Sequence, residues 1–244
     1  MTATTMAADL ARAVDPVRLC SVIGMEPDEW QTRVLRSRSP RLLLNCSRQS
    51  GKSTVASVAA YHQAHYRPGS LVLLVAPSER QSKELYRNCL TLHRAMGRSG
   101  GPGETRTSLE LANGSRVVVL PGNESTVRGF SGAALVVLDE ASRIPDEIFV
   151  AIRPMVAVSG GRLIAMSTPA GPRGWWWEAW TSGGQSWERV EVPATAVPRI
   201  SPEFLEGERR SLGRWAFEAE YLCRFTSVEA AVFSPDDLAA VFGS

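Results

Sequence analysis

Short, nearly unbroken apolar runs recur along this chain, at Arg41–Cys46, Ser70–Ala76, Ala134–Leu138 and Arg162–Ser167. Leucine, valine and isoleucine at consecutive positions would face both sides of a pleated strand, which predicts central strands covered on both faces. Between the runs, apolar residues recur with a helical period over Thr54–Tyr66, Glu79–Met96 and Pro145–Val158. Strands alternating with helices predict a mainly parallel α/β sheet joined by right-handed crossovers. Ahead of the first strand, Ala7–Val14, Pro16–Ile23 and Asp28–Arg36 read as short helices. Residues 97–103 are glycine-rich and read as a loop. Asn113-Gly114 sits between two β-patterned runs, Ser108–Ala112 and Ser115–Leu120, and predicts a two-residue hairpin turn.

The pattern changes after residue 184. Ser186–Val192 is one more strand-like run. Ser201-Pro202-Glu203-Phe204 then has the serine and proline of a helix start, and a further helix covers Arg214–Leu222. The reading is a core over residues 1–184, a small lid-like subdomain over 185–230, and a terminal linker over 231–244.

Composition narrows the class without naming a partner. A chain of 244 residues, 44% apolar and 21% charged, suffices for one full α/β core and a small appendage. Its 27 basic and 25 acidic residues leave a formal net charge of only +2, so any nucleic-acid contact must come from a local patch. Cys20, Cys46, Cys89 and Cys223 lack C-x-x-C spacing and matching histidines, which fits buried reduced thiols rather than a zinc site. No signal peptide and no stretch of membrane-spanning length is present, so the expected location is the cytoplasm, with no membrane partner.

The chemistry begins where the first apolar run ends, at Ser47-Arg48-Gln49-Ser50-Gly51-Lys52-Ser53-Thr54. A strand, a tight loop closing on Gly-Lys-Ser and a helix form a phosphate cradle. Loop and helix N-terminal N–H groups surround the β-phosphate, Lys52 neutralises the β/γ oxygens, and the Ser53 hydroxyl ligates Mg²⁺. The usual first glycine of G-x-x-x-x-G-K-[ST] is here Cys46. The run Leu135-Val136-Val137-Leu138 ends in Asp139-Glu140, and acids at the carboxyl end of a parallel strand lie where open α/β sheets bind ligands. Asp139 is the second magnesium holder and Glu140 the candidate general base for the attacking water. The two motifs together predict ATP or GTP hydrolysis.

Four further segments admit two readings each. Trp30-Gln31 fits an amphipathic helix with a buried tryptophan, the stronger reading on chemistry alone, or a glutamine amide that reads an adenine edge. Ser167-Thr168-Pro169 is either a strand end with a proline turn or a sensor of the γ-phosphate and its water. Arg128, in a glycine-flanked loop, is either a surface ion-pair arginine or a stabiliser of charge on a transferring phosphoryl group. Trp175-Trp176-Trp177 with Trp180 packs a helix to its core, for at least two of them, or stacks on bases.

With these residues in view, the chain resembles the ATPase domain of the viral terminase large subunit, the motor that packages DNA. That family tolerates loss of the first cradle glycine and carries an arginine inside the loop, as in Ser47-Arg48-Gln49-Ser50-Gly51-Lys52-Ser53. Trp30-Gln31 is similar to its adenine motif, Ala76-Pro77-Ser78 with Gln81 to the segment after the second strand, and Arg128-Gly129 to its arginine loop. Ser167-Thr168-Pro169 is similar to its coupling motif, and Phe217–Phe225 to the segment that closes the lid. The likeness runs from about residue 25 to 230 with the motifs in order.

The resemblance implies a P-loop NTPase of the ASCE/RecA-like type, binding ATP and Mg²⁺ and moving double-stranded DNA into a procapsid. The implied partners are further copies in a ring, the portal protein and the small terminase subunit. Arg48 and Arg128 become candidate charge stabilisers and Thr168 the coupling residue. Full large subunits continue into a metal-dependent nuclease. Here Asp236 and Asp237 are no substitute, so the nuclease is expected either on a separate chain or removed, and no nuclease activity is expected from this one. Two rivals stand beside this reading, a helicase-like DNA-stimulated ATPase and a catalytically idle ATPase-like scaffold.

Overall fold

The structure is a computed structural model that describes residues 3–98, 104–121, 127 and 129–226. Arg128, most of the glycine-rich stretch 97–103 and the segment 231–244 with Asp236 and Asp237 lie outside the described residues.

The apolar runs become β1 (Arg41–Cys46), β2 (Leu71–Ala76), β5 (Leu135–Asp139) and β6 (Arg162–Ser167), joined by β3 (Ser108–Glu110), β4 (Arg116–Pro121) and β7 (Glu188–Val192) in one seven-stranded sheet. Its order is β3-β4-β2-β5-β6-β1-β7, and only the β3–β4 pair is antiparallel. The helices are α1 (Ala3–Val14), α2 (Glu29–Arg36), α3 (Lys52–Tyr66), α4 (Glu79–Ala95), α5 (Asp146–Ala157), α6 (Gly174–Thr181) and α7 (Pro202–Leu222). The period-2 alternation of strands divides the core in two. Leu42, Leu44, Val72, Leu74, Val137 and Ile164 face α3 and α4. Leu43, Leu73, Val75, Val136, Leu138 and Ala165 face α5 and α6. A mainly parallel sheet flanked by helices is the architecture the sequence predicts.

Three expectations change in detail. The turn after β3 is not a two-residue turn on Asn113-Gly114. The Gly114 N–H bonds the Leu111 carbonyl at 2.9 Å, so Ala112 and Asn113 are the corners and Gly114 follows them at φ +78°. Asn113 is not in the left-handed region, and its side chain is engaged with α3. Its amide donates to the Ala64 and His65 carbonyls, both at 2.9 Å, and caps the end of α3. The strand expected within the lid, β7, is instead an edge strand of the main sheet, parallel to β1 with Leu44 opposite Val190. Finally, Pro16–Ile23 is a 3₁₀ helix, with the Asp15 side chain accepting from the Val17 N–H at 3.2 Å.

α7 begins as the sequence indicates, with Pro202 after an N-capping Ser201 whose hydroxyl accepts from the Phe204 N–H at 3.2 Å. Gly213, at φ 72° and ψ 164°, divides it into two helical pieces. Trp175 and Trp176 are buried, Trp175 stacks on Phe149 with centroids 3.9 Å apart and Trp180 packs against the same core, so at least two of the four tryptophans serve packing. All four cysteines are free and buried. Among the described residues no helix is long and apolar enough to cross a membrane.

Candidate functional site

The cradle loop lies between the end of β1 and the start of α3, and neighbouring backbone fixes its path. The Ser47 N–H donates to the Val192 carbonyl on β7 and the Arg48 N–H to the Glu220 carbonyl on α7, each at 2.9 Å. Gln49 turns the chain in a left-handed conformation (φ 57°), and Gly51 repeats that at φ 90° as the N-cap of α3. A Cβ on Gly51 would lie 2.9 Å from the Gln31 amide nitrogen, so both the backbone angle and the space require glycine. Lys52 and Ser53 then open α3, whose partial positive end points at the same space. Thr54 follows, partly buried in the first turn.

β5 brings the acids to this point. With β6 between β1 and β5, Asp139 pairs with Met166 and Asn45 with Ser167, so both strands end at one level of the sheet. The Ser53 hydroxyl lies 3.5 Å from Asp139 Oδ2, and Lys52 Nζ lies 3.3 Å from Glu140 Oε1. The Glu140 N–H donates to Asp139 Oδ1 at 3.0 Å, and Glu140 itself is left-handed at φ 49°. A non-glycine residue held at that angle is uncommon and clusters at functional sites. Arg143 donates to the other Glu140 oxygen at 2.7 Å, so the carboxylate is gripped between two cations.

Burial is the largest influence on Asp139 and pushes its pKa up to about 6, with Lys52 pulling it back down. The donor set fits a small hard cation: a buried carboxylate and a hydroxyl, both oxygen ligands, at the mouth of a phosphate cradle. The cradle also holds polar atoms that nothing in the protein satisfies, the buried hydroxyls of Ser47 and Ser50. A group rich in acceptor oxygens fits such a lining.

Gln31 is 1% exposed and already employed. Its amide oxygen accepts from the Asp28 N–H at 2.9 Å, capping α2, and its nitrogen donates to the Ser50 carbonyl at 3.4 Å. Arg48 leaves the cradle for α7, where Glu220 takes its guanidinium with two bonds of 2.6 and 3.1 Å. Thr168 is 2% exposed at the end of β6, between the cradle and the acids. Its carbonyl and the Ser167 hydroxyl both bond the Ser142 hydroxyl, at 2.8 and 2.7 Å.

Sequence reasoning missed four contributors. Arg199 clamps Asp28 with two 2.8 Å bonds and donates to the Ser50 carbonyl at 3.0 Å. Glu220, Ser142 and Arg143 are the others. Arg143 was within reach as a cation three residues after the acid. Arg199 and Glu220 are distant in sequence from what they hold, and although Glu220 lies in the Phe217–Phe225 segment, nothing local names Arg48 as its partner.

The family described as the terminase large subunit, T4-like-virus type, N-terminal region matches residues 43–240. The terminase large subunits of Thermus virus P23-45 and Thermus phage G20c are each 28% identical over 254 residues, covering 89% of this chain and 52% of theirs. The chain thus spans about half the length of these curated relatives. In fold it is similar to the large terminase ATPase domain of Thermus phage P74-26 (TM-score 0.71, 22% identity, 85% of this chain and 97% of that one). It is also similar to the large terminase of another thermophilic bacteriophage, solved in complex with ADP (TM-score 0.68, 13% identity, 82% and 54%).

Proposed function

The chain belongs to the terminase large subunit N-terminal family, and from that premise we propose that it hydrolyses ATP to drive double-stranded DNA into a procapsid. One observation carries the chemical part. The start of α3 and the end of β5 bring Lys52 and Ser53 to within 3.3 and 3.5 Å of Glu140 and Asp139. The similar large terminase in complex with ADP supports a nucleotide as the ligand.

In this proposal Lys52 and the N–H groups of Ser47–Thr54 bind the phosphates, and Ser53 with Asp139 holds magnesium. The metal supplies charge neutralisation on the β- and γ-phosphate oxygens. Lys52 then exchanges Glu140 for phosphate, which frees one carboxylate oxygen to accept a proton from the attacking water. Thr168, beside the acids, couples the site to the segment after Val192, taken as the lid. Arg48 can reach phosphate only by leaving Glu220. Arg128 is the second candidate for stabilising transferred charge, from the same or a neighbouring subunit. Gln31 reads adenine by exchanging its Ser50 contact.

The wider assignment follows from the family: a ring of copies on the portal protein in the host cytoplasm, working with the small terminase subunit, with DNA cleavage carried by another domain or chain. Nucleotide binding and turnover measured side by side test the site. Lys52→Ala is expected to weaken ATP binding itself, whereas Glu140→Gln retains binding and loses turnover. Unchanged binding in Lys52→Ala removes the cradle from its role.

A further inference from the structure

The end of the sheet opposite the cradle carries a concentration of arginine that the nucleotide site does not use. Four arginines fall from the middle of α2 to the first residue of β1, at positions 33, 36, 38 and 41. Arg33, Arg36 and Arg38 are exposed, as is Arg18 on the preceding 3₁₀ helix. The fold adds Arg162 at the start of β6, whose Nε donates to the Ser39 carbonyl at 3.1 Å while one of its buried nitrogens has no partner.

The carboxylates touching this group, among the described residues, are Asp15, which holds Arg36 at 2.7 Å, and Glu188, 3.7 Å from Arg33. Six guanidinium groups against two carboxylates exceed the +2 of the whole chain, so the rest of the chain is net acidic. Burial lowers the pKa of Arg162, with Glu188 opposing it, as expected of a cation that its surroundings under-compensate.

We propose that this edge is a sequence-independent binding surface for the phosphate backbone of duplex DNA, with Arg33, Arg38 and Arg41 as contact residues; the proposal rests on the reading that the chain acts on DNA. Guanidinium forks match phosphate oxygens in two-bond geometry. Ser37 and Ser39 lie among them with their hydroxyls already donating, to Glu188 at 2.6 Å and to the Arg41 carbonyl at 2.9 Å, so the contacts fall to the guanidinium groups. A protein partner fits less well, because an interface of that kind has an apolar centre. Among the described residues the large exposed apolar side chains lie mostly on α1, α5 and α7, as at Leu10, Val150, Phe204 and Trp215, with Val14 beside Asp15 the nearest of them in sequence to this group. The surface also lies away from the carboxyl ends of the strands, so DNA held there leaves the nucleotide site open.

The test is fluorescence anisotropy of a short labelled duplex against the full chain over a range of salt concentrations. The test variant is Arg33→Gln/Arg38→Gln/Arg41→Gln; the control removes the same charge elsewhere, as Arg80→Gln/Arg153→Gln/Arg209→Gln. Each phosphate contact contributes about 0.9 to the slope of log affinity against log salt, so the test variant should lose roughly 2–3 units of slope and at least about tenfold in affinity at low salt. The control should keep both, and DNA-free ATP turnover should be unchanged in each. Equal loss in test and control variants, or wild-type slope and affinity in the test variant, overturns this assignment and leaves the motor reading standing. A wild type that hydrolyses ATP but binds no duplex at low salt overturns both. Thermal melts establish that the test variant folds, since Arg41 also lies over the Trp187 ring at 5.9 Å.

Discussion

At the scale of single residues, the account turns on two adjacent acids given different surroundings. Asp139 is buried, and its raised pKa has a consequence for the empty protein. Its folded value of about 6 lies above the unfolded value of 3.8, so the native state binds the proton more tightly. The contribution of Asp139 to stability is then fully present below about pH 4 and is lost as pH rises through 6; its ionisation at pH 7 costs about 3 kcal/mol. Asp139→Asn should therefore melt higher than wild type at pH 7 without magnesium, with the gap closing near pH 4. An equal or lower melting temperature at pH 7 would contradict that electrostatic picture. Gln31 carries a second residue-scale expectation. If its amide reads adenine, Gln31→Ala narrows the preference for ATP over GTP, measured as the ratio of kcat/KM values. Loss of stability with an unchanged preference would leave the residue as the α2 cap and loop tie seen in its hydrogen bonds.

At the scale of elements, the strands were the most legible part of the chain, because apolar runs buried on both faces have no competing use. β6 begins and ends where its residues predicted. The hairpin turn was misread because Asn-Gly also suits a turn with glycine in the third place, and only the contacts to α3 decide between the two. β7 falls after the change of pattern at residue 184, and its alternating Glu-Arg-Val-Glu-Val carries no signal of the sheet it joins, since the edge of a larger sheet also takes a half-exposed strand. The cradle and its acids could be named from sequence, but not the pairing of Arg48 with Glu220 or of Arg199 with Asp28, which only the folded chain brings together. One junction offers a sharp test of the element packing. A Cβ on Gly161, at the entry to β6, would stand 2.0 Å from the Ala133 carbonyl oxygen. Gly161→Ala must displace backbone between β5 and β6, so we expect a loss of about 3 kcal/mol in chemical denaturation. A change within about 0.5 kcal/mol would show that this junction yields freely.

At the scale of the whole molecule, the sheet places the proposed nucleotide site at one end and an arginine-rich edge at the other, a separation that the proposed coupling of hydrolysis to DNA movement would use. The proposed ring carries a prediction for Arg128, which lies outside the described residues. An arginine finger given by a neighbour can supply several orders of magnitude in rate, so activity per subunit should rise with protein concentration. Arg128→Ala should abolish that rise, and mixing it with Glu140→Gln should recover activity at interfaces pairing an intact finger with an intact base. Two inactive variants that stay inactive together, where wild type assembles, would assign the role to Arg48 within its own subunit. The central claim, that this site turns over ATP with Glu140 as base, is tested most directly by steady-state ATP hydrolysis of wild type and Glu140→Gln with and without duplex DNA. The account predicts wild-type turnover that duplex DNA increases, and a variant that binds ATP yet turns over at least about 100-fold more slowly. Wild-type turnover in Glu140→Gln, or no hydrolysis by the wild type under either condition, would contradict it.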